Sequence, residues 1–391
     1  MGKIIVVGTG FSGSILAREI AEKLNKEVLV LERRDHIAGN MYDEYDDYGI
    51  LIQRYGPHFL NTNKYFIIDY LKKFAELVPH DTKLLSFIDG KYVQLPFNFK
   101  TLKQLVGDEY AEKLLAKMRK YFAGRDRVPI FELMECEDED IRNYSDLLFE
   151  KAYKTYVAKQ WGLAPKDIDK SVIERTPMAM NYDERYLNKD FQYLPKQGFT
   201  DLFKELLTHK NIEVKLNTDA LDYLELDDKT KTITFNGEHV DLLVFTGAID
   251  ELFSLKYGRL PYRSINITYD YHDKEKVLPS EIVSYPQADG YTRQTEYKQF
   301  TFSKCNKNKT VIATEYPLEY DPNSEIANTP YYPTLTKQSM EMYEKYKAES
   351  EKYGNIILCG RLAEFRYYNM DVCIEHALEK FEEVRKYLEE N

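Results

Sequence analysis

Four apolar, β-branched residues, Ile4 to Val7, run straight into Gly8-Thr9-Gly10-Phe11-Ser12-Gly13. A short apolar run bounded by glycines predicts a strand buried on both faces, the kind found in parallel sheets. The period then becomes helical over Ser14 to Leu24, and Val28 to Leu31 gives a second buried strand. The same alternation returns late in the chain. A helix is expected from Gly198 to Leu207, strands at Ile212–Leu216, Leu242–Thr246 and Ile356–Leu358, and a last helix from about Met370. Between these stretches the pattern differs. Lys64 to Leu77 reads as an amphipathic helix, and Leu84 to Leu95 as paired strands around Asp89-Gly90. From Thr101 to about Asp169 the period is helical, and from Tyr257 to Pro317 alternating Tyr, Ile, Thr and Val residues predict antiparallel strands. Glu135 to Asp140 reads as a solvated acidic loop, and Ser145 as the cap of a helix that ends at Trp161-Gly162, with Pro165 beyond.

The pattern predicts an α/β protein with a Rossmann-like, dinucleotide-binding parallel-sheet domain, interleaved with a helical-bundle insert and an antiparallel β-sheet domain. The expected parts are a cofactor domain from residues 1–82, 196–250 and 345–391, a mainly helical insert at 83–185, and an antiparallel-sheet substrate domain at 186–195 and 251–344. No internal repeat or low-complexity linker interrupts them.

The glycine turn carries the first chemistry. Gly8 permits a tight turn, Gly10 lets backbone approach a pyrophosphate, and Gly13 lets the next helix lie close to the strand. That helix aims its unpaired N–H groups and positive dipole end at the same place. Glu32 ends the second strand, where a carboxylate accepts both ribose hydroxyls and repels a 2′-phosphate. A further step at Ala38-Gly39-Asn40 resembles that of the two-dinucleotide-fold flavoproteins, which favours FAD over NAD.

Composition narrows the remaining choices. At 391 residues the chain is long enough for two or three domains, and a net charge of −11 without a basic tract excludes nucleic-acid binding as a leading reading. An anionic ligand must then be held by a few focused arginines. The start of the chain leaves no room for a leader and no apolar run has membrane-spanning length, so a soluble, cytoplasmic protein is expected. Cys136, Cys305, Cys359 and Cys373 form no C-x-x-C pair, which predicts neither a disulfide framework nor a metal site. The 33 tyrosines suit a site built from flat faces and neutral hydroxyl donors, although most must simply pack. His58, after the turn at Gly56-Pro57, fits either an ordinary loop or a place beside the cofactor. Tyr153, Tyr156 and Gln160 share a predicted helix face. Trp161 beyond them, with Arg175, fits either a core or a lid over a base and phosphate.

Several separated motifs resemble UDP-galactopyranose mutases. They are K-Q-W-G at Lys159 to Gly162, E-R-T-P around Arg175, Y-R-S at Tyr262 to Ser264, Y-T-R at Tyr291 to Arg293, E-Y-P-L-E at Glu315 to Glu319, P-Y-Y-P at Pro330 to Pro333, and G-R-L-A-E-F-R-Y-Y-N-M at Gly360 to Met370. The resemblance implies that FAD is bound and that N5 of the reduced flavin attacks the anomeric carbon of UDP-galactopyranose. UDP leaves, the ring opens and recloses as a furanose, and UDP returns, with no net redox change. The product would supply galactofuranose for cell-surface polysaccharide.

Carried onto this chain, the resemblance makes Arg175 and Arg293 the diphosphate clamp, with His58 beside the flavin as the third catalytic residue. FAD contacts would come from Gly8, Gly10, Phe11, Ser12, Gly13, Glu32, Arg33, Gly39, Asn40, His58, Thr246, Gly247, Gly360, Arg361 and Met370. Tyr156 would stack on uracil and Trp161 would close over substrate, while Tyr186, Tyr316 and Tyr367 would donate hydroxyl hydrogen bonds to the diphosphate. Tyr153, Arg263, Ser284 and Asn369 complete the expected substrate contacts. NAD(P)H or another reductant and a homodimer are implied too.

Departures from the family pattern fall at Ala38, Asn61, Ser284 and Asn369, and they leave sugar breadth open. A mutase for UDP-GalNAc or a dTDP-sugar is the nearest alternative. A flavin-dependent amine oxidase or desaturase, and a non-enzymatic relative that binds prenylated GTPases, fit the residues less well.

Overall fold

The computed structural model describes residues 2–162, 176–300 and 308–390. Lys3–Val7 lies at the centre of a seven-stranded sheet ordered Ile212–Lys215, Val28–Leu31, Lys3–Val7, Glu238–Phe245, Ile233–Phe235 and Leu224–Leu226, with Ile356–Leu358 also on Glu238–Phe245. Its pairings are parallel except at the 224–238 end, where two hairpin-like antiparallel strands are appended. Ile5, Val6, Leu242 and Val244 are fully buried, as a sheet covered on both faces requires.

The helix Phe11–Lys23 follows the first strand and packs Ile15, Leu16 and Ile20 into one core with Ile374, Ala377 and Phe381 of the last helix, Met370–Glu390. Burying each of the Ile, Leu and Phe side chains among them stabilises by about 1.5–3 kcal/mol. This packing fixes the first helix against the C-terminal segment. Ser12 at the start of the first helix interacts with Cys373 near the start of the last, and Lys23 lies over the Phe381 ring further along, so the two helices run side by side in the same direction.

A second seven-stranded sheet is ordered Tyr332–Pro333, Tyr262–His272, Thr310–Glu319, Arg293–Glu296, Ile282–Ser284, Leu84–Ile88 and Lys91–Leu95. It is antiparallel except where Ile282–Ser284 runs parallel to Leu84–Ile88. The hairpin at 84–95 thus belongs to this sheet and not to the helical part, because its alternating buried residues need a sheet neighbour.

The helical part starts at Phe99, where Asn98 and Thr101 form a capping box. It continues through Asp108–Tyr121, Ile130–Met134 and Glu139–Leu148, then a π-helical turn Phe149–Tyr153 and the helix Lys154–Trp161. Two local expectations change. The acidic stretch at 135–140 is no free loop, since Asp138 caps the helix by accepting from Asp140 and Ile141 and the acids of the next turn complement its dipole. Ser145 lies inside that helix, with its hydroxyl bonded back to the Arg142 carbonyl. The helix expected over Lys64–Leu77 stops at Leu71, and Leu77–Pro79 pairs instead with Phe191–Pro195.

Candidate active site

The first strand, first helix and C-terminal segment converge on the glycine turn. Gly8 has φ +98°, and a Cβ there would meet Thr246 Oγ1 at 2.2 Å. One on Gly13 would strike the Gly8 carbonyl at 2.0 Å, the close helix-to-strand approach the fingerprint requires. Gly10 is the contrast, since a Cβ there meets nothing within 4 Å. The turn is closed at Gly8 and Gly13 and open at Gly10, at the N-terminus of the following helix.

Gly39 and Gly360 form the other walls of this cradle. A side chain on Gly39 (φ +55°) would lie 3.1 Å from Gly10 Cα, and one on Gly360 (φ +104°) 2.8 Å from Ser12 Oγ. Glu32, buried, accepts from Thr9 N–H at 3.1 Å and Arg34 N–H at 3.1 Å, which points its carboxylate back at the turn. Buried polar atoms left without protein partners include Arg34 Nη1 and His58 Nδ1. A dinucleotide cofactor fits a cradle that is open at Gly10, excludes side chains at four glycines and leaves such donors unpaired.

His58 stands on the segment between this cradle and the second sheet. Gln53 bonds both its backbone groups, which fixes the loop. Burial, with the positive charges of Arg361 and Arg293, pushes its imidazole down to about 3. It is therefore neutral throughout the physiological range.

On the second sheet, Arg293 Nε donates to Glu315 Oε1 at 2.6 Å, and the two residues are opposite one another on paired strands. Glu315 is 2% exposed. This contact leaves the terminal amino groups of Arg293 for a ligand. Tyr156, Tyr186 and Tyr332 all lie within electrostatic reach of Arg293. Burial raises all three phenols, Tyr156 to about 12, so they are neutral donors. Trp161 ends its helix with its ring 5.3 Å from Tyr332 and 6.1 Å from Tyr367, while Tyr316 lies 6.0 Å from Tyr291.

Other expected residues are placed differently. Tyr153 and Tyr156 are three residues apart, which leaves them about 60° apart around the helix, and Tyr153 turns into the helical core. Its ring lies 5.3 Å from Phe97 and its hydroxyl donates to the Thr176 carbonyl at 2.5 Å. Arg263 is engaged by the protein itself. It donates to the carbonyls of Gln160 at 3.1 Å and Lys159 at 3.2 Å, satisfying the C-terminal end of the helix that carries Trp161. Arg33 faces outward, 3.0 Å from Glu251.

Several more serve the scaffold. Thr246 braces the first strand through Val7, Asn40 accepts from Arg34, and the Asn369 carbonyl accepts from Cys373. Phe11 packs on Phe203, Gly247 closely on the Phe245 ring, and Ser284 is buried between strands. Arg361 brings charge towards His58, and Met370 begins the last helix. Arg175 lies outside the described residues.

Three features were missed by sequence reasoning. Glu315 belongs to a quoted motif, but only strand register reveals that it orients Arg293. Lys159 donates to three carbonyls, of Tyr285, Ala288 and Tyr291, at 2.7–2.8 Å, tying the Trp161 helix to the second sheet. Cysteine spacing gave no sign of a metal set, yet the ligand atoms of Cys359, Glu364 and His376 lie within 4.8 Å of one another.

A parallel sheet with this glycine cradle defines a Rossmann-type dinucleotide-binding protein, and residues 6–74 match the NAD(P)-binding Rossmann-like domain model. Residues 151–367 match the model described as UDP-galactopyranose mutase, and the chain belongs to that family of flavin-dependent isomerases. It is 32% identical over 383 residues to the dTDP-fucopyranose mutase of Escherichia coli, covering 97% of both chains. It is also 32% identical to the UDP-galactopyranose mutase of Mycoplasma genitalium, covering 97% of this chain and 94% of that one. A crystal structure of reduced UDP-galactopyranose mutase superposes with a TM-score of 0.73 at 15% identity, over 99% of this chain and 94% of the other, which shows the shared fold.

Proposed function

We propose that this chain interconverts UDP-galactopyranose and UDP-galactofuranose on reduced FAD, with no net redox change. The observation that carries the reading is Arg293, anchored by buried Glu315 among neutral tyrosines and facing the His58 side of the cradle. When bound, the reduced flavin supplies a nucleophilic nitrogen, N5, for the anomeric carbon of the sugar. Expulsion of UDP builds negative charge on the diphosphate. The terminal amino groups of Arg293 stabilise it where it develops, and the tyrosine hydroxyls add donors without a second net charge. Tyr156 offers a face for the uracil ring, and Trp161 closes the cleft against water. Neutral His58 keeps an uncompensated cation away from the cofactor.

Arg175 would complete the clamp on this reading. The cofactor domain would comprise 1–82, 196–250 and 345–391, with substrate held against 251–344. Family resemblance further supports a cytoplasmic homodimer that supplies galactofuranose for cell-surface polysaccharide and draws on NAD(P)H or another electron donor. Among the described residues no helix is long and apolar enough to cross a membrane.

The 97% coverage shared with a dTDP-fucopyranose mutase favours a second reading, in which the substrate is a dTDP-deoxysugar. Chromatography of anaerobic reactions containing UDP-galactofuranose or dTDP-fucofuranose separates the two. Faster conversion of the UDP-sugar supports the first reading, and faster conversion of the dTDP-sugar overturns it.

A further inference from the structure

Cys359, Glu364 and His376 come from three different parts of the C-terminal segment. Cys359 directly follows strand Ile356–Leu358, Glu364 lies in the turn after it, and His376 is on the last helix. Glu364 uses its two oxygens separately. Oε2 accepts the Gly360 N–H at 2.9 Å, and Oε1 lies 2.7 Å from His376 Nε2. On the other side of the ring, Nδ1 faces Glu379 Oε2 at 3.9 Å. Cys359 has no solvent exposure, whereas the side chains of Glu364 and His376 are 13% and 24% exposed. The group is closed at the sulfur and open at the imidazole.

We propose that these three residues bind a thiophilic divalent cation of the zinc class. One sulfur, one imidazole nitrogen and one carboxylate oxygen are the donor types zinc takes, and three protein ligands leave a fourth position for water. The cation replaces the proton held between Glu364 Oε1 and His376 Nε2. Zinc bonds near 2.0–2.1 Å at a tetrahedral angle place such an O and N roughly 3.3 Å apart, so the present 2.7 Å gap needs only a small opening. Oε2 keeps its bond to Gly360 throughout.

Binding releases the Cys359 thiol proton, while a neutral His376 passes its Nε2 proton to Nδ1 on the Glu379 side and a charged one releases it, and no redox step is involved. Glu379 stands where an outer carboxylate orients a ligating histidine. Lys380 opposes the cation electrostatically, but its own charge is paired with Glu383 at 2.7 Å.

The bound cation would join the end of a central strand, the Gly360 turn and the last helix. Gly360 packs beside Ser12 in the cofactor cradle, so the cation stiffens the cradle from behind.

The test uses the full-length holoprotein titrated with Co2+, followed in difference spectra at wavelengths where flavin does not absorb. The expected result is one equivalent per chain with four-coordinate ligand-field bands. Cys359→Ser and His376→Gln each weaken binding at least tenfold, and Cys136→Ser leaves it unchanged. Glu364→Gln provides a third variant should one of these fail to fold. Zinc should also raise the thermal midpoint of the wild type but not of His376→Gln. Absence of uptake, or equal uptake by Cys359→Ser and His376→Gln, overturns the proposal and leaves a hydrogen-bonded clamp alone.

Discussion

Glu315 receives the Nε–H of Arg293 at 2.6 Å from a position buried in the second sheet, so the aim of the guanidinium is set by the carboxylate behind it. Both groups occupy facing positions of neighbouring strands, which makes the pair rigid. The nearby positive charge and burial together hold His58 neutral, while the tyrosines around Arg293 stay protonated.

Arg293→Ala should leave flavin bound but lower kcat/KM. A charge-assisted contact is worth about 1.5–3 kcal/mol, or about 10- to 150-fold. Glu315→Gln keeps a hydrogen-bond acceptor but loses the charge, so a smaller decrease is expected. Steady-state kinetics of both variants check this ordering. Unchanged turnover in Arg293→Ala would remove Arg293 from the diphosphate site.

Ala38 occupies left-handed backbone at φ +75° immediately before Gly39 at φ +55°. A Cβ in that region costs about 1–2 kcal/mol, partly offset by the greater unfolded-state freedom of glycine. Ala38→Gly should therefore raise stability by up to about 1 kcal/mol. Chemical denaturation of the variant measures it. A lower midpoint would show that the Ala38 methyl, fully buried, contributes more by packing than it costs in strain.

The depressed imidazole of His58 predicts a particular acid limb. Between about pH 3 and its ordinary 6.5 the unfolded chain binds a proton that the folded chain does not. Stability therefore rises with pH across that window and is lost on acidification, by at most about 1.4 kcal/mol per pH unit. Urea midpoints at pH 4.5 and 7 should differ less in His58→Gln than in the wild type. An equal difference in both proteins would assign the acid limb to other groups.

Lys159 ties the Trp161 helix to the loop at 285–291 through three carbonyls. Burial pushes its ammonium down to about 8, yet its donors meet only carbonyls. Lys159→Met strands three acceptors, so a loss of at least about 2 kcal/mol is expected, together with a higher KM as Tyr156 loses its fixed position. A normal KM with normal stability would show that the helix is held by its apolar contacts instead.

Much of the cofactor half was legible because its signals are local. Ile4–Val7, the glycine turn with Gly8 and Gly13 and the strand ending before Glu32 all fall within a single β–turn–α–β segment, and the structure forms them there. The hairpin at 84–95 was recognised as strands, but its parallel partner at 282–284 lies too far away in sequence for periodicity to reveal. Arg263 shows the same limit, since the motif match made it a substrate contact and only packing shows it satisfying the carbonyls at the end of a helix. Tyr153 and Tyr156 looked equivalent on a helical wheel. Sixty degrees of rotation was enough to send one into the core and leave the other beside Arg293.

The most direct test of the central claim compares oxidised and dithionite-reduced protein under anaerobic conditions, each given UDP-galactofuranose, with product followed by chromatography. Conversion to UDP-galactopyranose by the reduced protein alone is the predicted result. Equal conversion by oxidised protein, or none by folded, flavin-loaded reduced protein with either nucleotide sugar, would contradict the account.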